Sequence, residues 1–217
     1  NPLVGCVIVR NNQILAEGFH KKIGGPHAEI AALKKLKFQA EGATLYCNLE
    51  PCFHQGRTPP CVTQVIKSGI KRVVIALRDP NPEVSGQSIR ALRKAGIPVT
   101  LGVFKKIAEF QNRFFLKWIQ TGQPYVILKV AQTLDGCLGL KINSGKKPFW
   151  ITSETARRRV HQLRSEVSAV AVGVGTIISD DAKLNVRLEK TAPQPTRIIF
   201  DSHLRTPKTA AIFQARG

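Results

Sequence analysis

The sequence contains no methionine at any of its 217 positions, not even at the start. It also lacks a long uninterrupted apolar run and the layout of a secretory signal. The first absence excludes a membrane-spanning helix and the second argues against export, so the chain reads as soluble and cytoplasmic. There is no internal repeat and no low-complexity tract, which excludes a solenoid or a disordered array. Acidic residues are scarce: 14 Asp and Glu face 33 Lys and Arg, for a formal charge of +19. That excess favours anionic ligands and raises nucleic acid as a partner. No block of five or six like charges occurs, however. The cations are dispersed, with short runs such as Lys34-Lys35 and Arg157-Arg158-Arg159, as on a solvated basic surface. The five cysteines (6, 47, 52, 61 and 137) are an odd number, so a closed disulfide framework is a poor account of them. In a reducing compartment, metal binding or burial explains them better. With 43% hydrophobic residues, the chain can bury at least one full core in one or two domains. The missing initiator, the Asn-Pro opening and the close soon after the strand-like Arg197–Asp201 suggest a piece of a longer protein.

What is present is a set of metal ligands in a characteristic order. His27 and Glu29 spell H-A-E, and Pro51-Cys52 is followed by Cys61. An imidazole and two thiolates make a three-ligand zinc site, whose fourth tetrahedral position is left to water, as catalysis requires. Glu29 sits two residues past the histidine, where a carboxylate can lie beside the metal without binding it. Zinc lowers the pKa of its water to about 7, and a non-ligand Glu then moves protons. The combination matches the zinc deaminases, with Glu29 taking a proton, passing it to a ring nitrogen and protonating the departing amine.

The pattern of residues around these motifs predicts an α/β layer structure. Strands are expected at Leu3–Val9 and Ile14–Phe19 about an Asn11-Asn12 turn, and at Ala43–Leu49, Arg72–Leu77 and Pro98–Val103. Helices are expected from His27 onward, with Ile30, Leu33 and Leu36 in phase, and at Cys61–Ser68 and Gln87–Ala95. A further helix is expected at Lys105–Ile119, whose apolar residues Ile107, Phe110, Phe114, Phe115 and Trp118 read as a core stripe. Thr121-Gly122-Gln123-Pro124 is the expected boundary between domains 1–121 and 125–217. Beyond it come a strand at Tyr125–Ala131, a turn at Thr133–Gly136 and a loop at Ser144–Pro148. A Ser153-capped helix to about Ser165, a strand at Val167–Val172 and a tight glycine turn at Gly173–Thr176 follow.

The loop between the cysteines discriminates further. A generic deaminase signature ends P-C-x-x-C, whereas here Pro51 to Cys61 is lengthened and carries His54 and Arg57. A fixed cation beside a protonatable ring suits recognition of a substrate phosphate. Two other readings remain: a deaminase of RNA or DNA bases, and a purely structural zinc site completed by His54 or Cys47.

At these residues the chain resembles the bifunctional deaminase/reductase of riboflavin biosynthesis. The motifs are N-P-L-V-G, G-F-H, H-A-E, L-E-P-C-F-H-Q-G-R-T-P-P-C and R-D-P-N-P. The second half adds L-K-V-A-Q-T-L-D-G, W-I-T-S and V-G-V-G-T-I-I-S-D-D-A-K-L-N-V-R. The resemblance implies a cytidine-deaminase-like three-layer α/β/α domain and then part of a dihydrofolate-reductase-like α/β domain. It implies removal of an amino group from diaminohydroxyphosphoribosylaminopyrimidine, then NADPH-dependent reduction of the ribose to ribitol, in a cytoplasmic homo-oligomer. By motif, His27, Cys52 and Cys61 become zinc ligands and Glu29 the proton shuttle, with Asn1, His20, His54 and Arg57 as deaminase-substrate contacts. Ala131, Trp150, Thr176, Asp180 and Ser202 fall at NADPH-binding positions. Arg164, Leu184 and Arg187 fall at reductase-substrate positions.

The chain departs from the pattern in two places. Pro148 stands where a substrate-contacting Ser is expected two residues before the tryptophan, and Cys137 stands where a basic residue is common. Both bear on the reductase half, so a relative with only the deaminase active is a further expectation. Gly173-x-Gly175 lacks the third glycine of the dinucleotide fingerprint.

Overall fold

The computed structural model describes residues 2–53, 60–82, 84–139, 150–188 and 192–214. Asn1, His54, Arg57 and Pro148 lie outside the described residues. The chain divides into two compact units, Asn1–Ile127 and Leu128–Gly217.

The first unit is a five-stranded sheet of order β2-β1-β3-β4-β5 with helices packed on it. Its hairpin joins β1 (Gly5–Arg10) to β2 (Gln13–Phe19). Asn11 and Asn12 take φ of 51° and 59°, the left-handed pair that a two-residue hairpin turn demands and asparagine tolerates. β3 (Thr44–Leu49) runs antiparallel to β1; β4 (Arg72–Leu77) and β5 (Val99–Leu101) continue parallel to β3. The parallel connections are made by α2 (Cys61–Lys67) and α3 (Gln87–Lys94). From Val73 onward β4 is buried at every position, as a central strand covered on both faces must be. Ile8, Leu33, Leu45, Val65, Val73, Ile75 and Leu92 close the core completely, each contributing about 1.5–3 kcal/mol.

α1 (Ala28–Lys35) packs directly on β2 and β1. The contact depends on Gly18: a Cβ there would come within 2.2 Å of the Ala28 carbonyl oxygen and 2.5 Å of the Ala32 nitrogen. Only glycine lets strand and helix approach so closely.

Several expectations are corrected. The first strand starts at Gly5, not Leu3, because side chains take over Leu3's backbone: Asn112 Oδ1 accepts its N–H (2.7 Å), and Asn48 Nδ2 donates to its carbonyl (2.7 Å). The single helix expected at Lys105–Ile119 is two, α4 (Lys105–Gln111) and α5 (Arg113–Thr121), broken at that same Asn112. The expected core stripe is largely solvent-facing. Ile107, Phe110 and Trp118 are exposed, and Ala108 is the buried residue of α4. Finally, Tyr125–Ala131 pairs with no strand among the described residues; an apolar run makes a strand only where a partner supplies the ladder.

In the second unit, α6 (Glu154–Glu166) is capped by the Ser153 hydroxyl, which accepts from the Ala156 N–H. β6 (Ala169–Gly173) and β7 (Thr196–Phe200) pair in parallel, flanked by α7 (Val174–Asp180) and α8 (Ala211–Gln214). The expected glycine turn is absent: β6 runs into α7 without a loop residue, and Gly173 has an ordinary extended φ of −73°. Ile177, Leu184, Ala210 and Ile212 form its small core. Among the described residues no helix is long and apolar enough to cross a membrane.

Candidate active site

Three helix and strand ends bring the predicted ligands together. His27 is the N-cap of α1, Cys52 follows β3 by three residues, and Cys61 opens α2. The Cys61 N–H donates to Cys52 Sγ (3.2 Å), and the Val62 N–H donates to the Cys52 carbonyl (3.3 Å), folding the first turn of α2 onto the cysteine. Cys61 Sγ lies 3.2 Å from His27 Nδ1, and one donor atom of each of the three residues falls within 4.8 Å of the others. A tetrahedral zinc with bonds of about 2.0–2.3 Å spaces its ligand atoms by roughly 3.5–3.8 Å. One nitrogen and two sulfurs at this spacing fit that ion.

Electrostatics prepare the thiols. Cys52 is pulled down to about 4, first by the hydrogen bond from the Cys61 thiol, against the cost of burial. Cys61 is pushed up in turn because it holds the shared proton. Cys52 is the thiolate of the pair, and a cation would displace the proton from Cys61. His27 is raised by its hydrogen bond to Cys52.

Glu29 lies in the first turn of α1, 2% exposed, and its Oε2 has no hydrogen-bond partner among the described residues. Burial pushes its pKa up to about 7. A buried carboxylate oxygen without a partner is costly unless a ligand completes it. Cys6 and Cys47 face each other across β1 and β3 and are buried in the core. Burial, and then the charge of Glu29, holds both thiols protonated. Cys47 is outside the three-ligand cluster, so it does not supply the fourth ligand of a structural site. His20 stands beside the cluster, its ring edge-on to His27 at 5.4 Å, with its Nδ1–H donating to the Pro26 carbonyl (3.1 Å).

In the second unit, Arg164 donates to the Asn185 carbonyl (3.2 Å), and Arg187 donates to Asn185 Oδ1 (2.9 Å). The Arg187 N–H donates to Nδ1 of His161, one turn before Arg164 on α6 (3.3 Å). Leu184 is buried with a left-handed φ of 54°, and Gln194 brackets the next residue but one, accepting from the Val186 N–H (2.8 Å) and donating to its carbonyl (3.1 Å). The sequence pointed to Arg164, Leu184 and Arg187 and not to His161, Asn185 and Gln194, which the structure bonds to them or beside them. The i, i+3 spacing of His161 and Arg164 was the one local signal.

Thr176 and Asp180 are exposed and four residues apart on α7. Thr176, in the first turn of α7, follows the carboxyl end of β6, and Ser202 follows that of β7, the end of a parallel pair where such sheets bind ligands; Asp180 closes α7. Trp150 is exposed under the Arg157 guanidinium (4.5 Å), and Ala131 lies in the unpaired stretch after α5.

Comparison with known proteins agrees with both halves. The family model for the cytidine and deoxycytidylate deaminase zinc-binding region matches residues 1–77, and that for the RibD C-terminal domain matches residues 124–216. The riboflavin biosynthesis protein RibD of Aquifex aeolicus is 50% identical over 212 residues, covering 98% of this chain and 59% of that protein. That of Escherichia coli is 42% identical over 229 residues, covering 100% and 62%. The chain belongs to the RibD family. Acinetobacter baumannii RibD superposes with a TM-score of 0.87 at 46% identity, over 99% of this chain and 61% of that one. A Thermotoga maritima diaminohydroxyphosphoribosylaminopyrimidine deaminase/5-amino-6-(5-phosphoribosylamino)uracil reductase superposes with a TM-score of 0.90 at 42% identity, over 99% and 61%. The chain thus spans about three-fifths of the length of these family members.

Proposed function

We propose that this chain catalyses hydrolytic deamination of diaminohydroxyphosphoribosylaminopyrimidine in riboflavin biosynthesis, releasing ammonia and leaving a ring carbonyl. Residues 1–121 are the deaminase domain. Residues 125–217 are the first part of the NADPH-dependent reductase that converts the ribosyl group of the product to ribityl. The protein acts in the cytoplasm on a small molecule, as a homo-oligomer. The carrying observation is the buried Glu29 Oε2, without a partner among the described residues, beside one imidazole and two thiols at metal-ligand spacing.

His27, Cys52 and Cys61 would hold the ion. When bound, zinc supplies a hydrolytic nucleophile at neutral pH. Glu29 does the proton work: with a pKa of about 7 both of its forms are populated near neutrality, so Oε2 can accept a proton and give it up again. It delivers one proton of the water to the ring nitrogen next to the reacting carbon, and carries the second, released as the ring carbonyl forms, to the departing amine. His20, whose ring meets that of His27, contacts the substrate, and the motif assigns the same task to Asn1, His54 and Arg57. In the reductase part, Arg164, Leu184 and Arg187 take the phosphoribosyl group, and Ala131, Trp150, Thr176, Asp180 and Ser202 take NADPH.

The test is ammonia release from the diaminopyrimidine ribosyl phosphate by the zinc-loaded chain. Glu29→Gln should keep stoichiometric zinc and lose about 10²–10⁴-fold in turnover. Equal turnover in the variant, or none in the unaltered zinc-loaded chain, would overturn the assignment.

A further inference from the structure

We propose that Glu50 is a positioning residue for the metal centre, holding Cys52 in place by anchoring the peptide that precedes it to the start of α3. This rests on the zinc reading above and adds a residue that contacts neither metal nor substrate.

Glu50 sits one residue past β3 and is 3% exposed, an unusual place for a carboxylate. Its carboxylate is satisfied entirely by backbone donors: Oε2 accepts from the N–H groups of Gly86 (2.9 Å) and Asp79 (3.3 Å), and Oε1 accepts from the N–H of Ile89 (3.3 Å). The N-cap of α3 is Gly86, which has no side chain and a left-handed φ of 74°, so the helix cannot cap itself. Glu50 supplies the cap from 36 residues away, placing a negative charge on the donors of the first turn. Its own N–H donates to the Leu77 carbonyl (2.8 Å), extending the pairing of β3 with β4.

Only Pro51 separates this anchor from the ligand. Its ring fixes φ, it is fully buried, and its carbonyl accepts from the Ser88 hydroxyl (2.6 Å), itself fully buried on α3. The chain from Glu50 to Cys52 is therefore clamped at a carboxylate, an N–H and a carbonyl, to β4, α3 and the loop between them. Cys52 then receives the first turn of α2 through its Sγ and its carbonyl. Helix capping alone would not need the cap to come from the residue two before a ligand. The same contacts fix where that ligand's backbone stands.

The experiment measures zinc release to a chelator, and the visible spectrum of the cobalt-substituted chain, at a temperature where every variant is folded. Glu50→Gln keeps the volume but turns an amide NH2 toward one of the donors. It should release zinc about tenfold faster, at the low end of what outer-shell partners contribute, and shift the cobalt bands. Ser88→Ala, which removes only the bond to the Pro51 carbonyl, should move both readouts in the same direction. Leu92→Ala, a core change on the same helix, should lower the melting temperature and leave release and spectrum unchanged. The proposal falls if Glu50→Gln releases zinc at the unaltered rate, or if Leu92→Ala accelerates release equally. Should Glu50→Gln fail to fold, an unaltered release rate in Ser88→Ala overturns it. An unaltered chain that holds no zinc defeats the metal reading itself, a result distinct from zinc held equally well by all variants.

Discussion

Gly18→Ala tests the link between the packing of α1 and the chemistry at its start. The added methyl would sit 2.2 Å from the Ala28 carbonyl oxygen. Reaching a tolerable contact requires β2 and the first turn of α1 to part by roughly 1 Å, since no flexible side chain can yield in their place. Overpacking of this kind costs about 1–3 kcal/mol. Gly18 has no left-handed φ, so alanine also gains about 0.4–1 kcal/mol by restricting the unfolded chain. The clash wins, but narrowly, and the melting temperature should fall by about 2–6 °C. The effect on the site should be much larger, because Ala28 stands between His27 and Glu29. Displacing both by about 1 Å should reduce ammonia release by about 10²-fold in a chain that is still folded. Calorimetry and zinc-loaded turnover on the same preparation would measure the two effects. A variant that melts no lower than the unaltered chain and turns over within threefold of it would refute the close-packing argument.

Two further outcomes are expected. Asn112→Ala removes a buried side chain that pairs with both the N–H and the carbonyl of Leu3. It should lose about 1–3 kcal/mol in urea unfolding, with faster amide exchange at Leu3, and unchanged exchange there would count against the clamp. His161 is held below its ordinary pKa, first by burial and then by the charges of Arg187 and Arg164. The folded state therefore prefers the neutral ring. The stability contribution is present above pH 6.5 and is lost as pH falls through the lowered value. His161→Gln, which can still accept from Arg187, should flatten that acid-side loss in melts between pH 5 and 8, and an unchanged slope would assign it elsewhere.

The ligand set was legible because it is written locally. A histidine at a helix start with a glutamate two residues on, and a Pro-Cys after a strand, combine residue type with short spacing, and the same local cues carry β1 to β5. Expectations failed where a distant residue overrode the local pattern. Periodicity runs unbroken through Lys105–Ile119, yet the helix divides at Asn112 because that amide is engaged by Leu3, 109 residues away. The apolar run Tyr125–Ala131 satisfies the pattern of a buried strand, but a ladder needs a neighbour, which no local pattern can promise.

By itself the sequence determined which donors are available and in what order they come, hence the His27, Cys52 and Cys61 cluster, the Glu29 carboxylate close by and the family. Tertiary structure alone decided that Glu29 Oε2 is left without a partner among the described residues and that Gly18 is the contact on which α1 rests. It also decided that Glu50 caps α3 beside Cys52 and that His161 and Asn185 join Arg164 and Arg187. The physical reason is common to all of these. Burial and hydrogen-bond satisfaction are properties of groups far apart in the chain, and they leave no periodic mark on the residues that provide them.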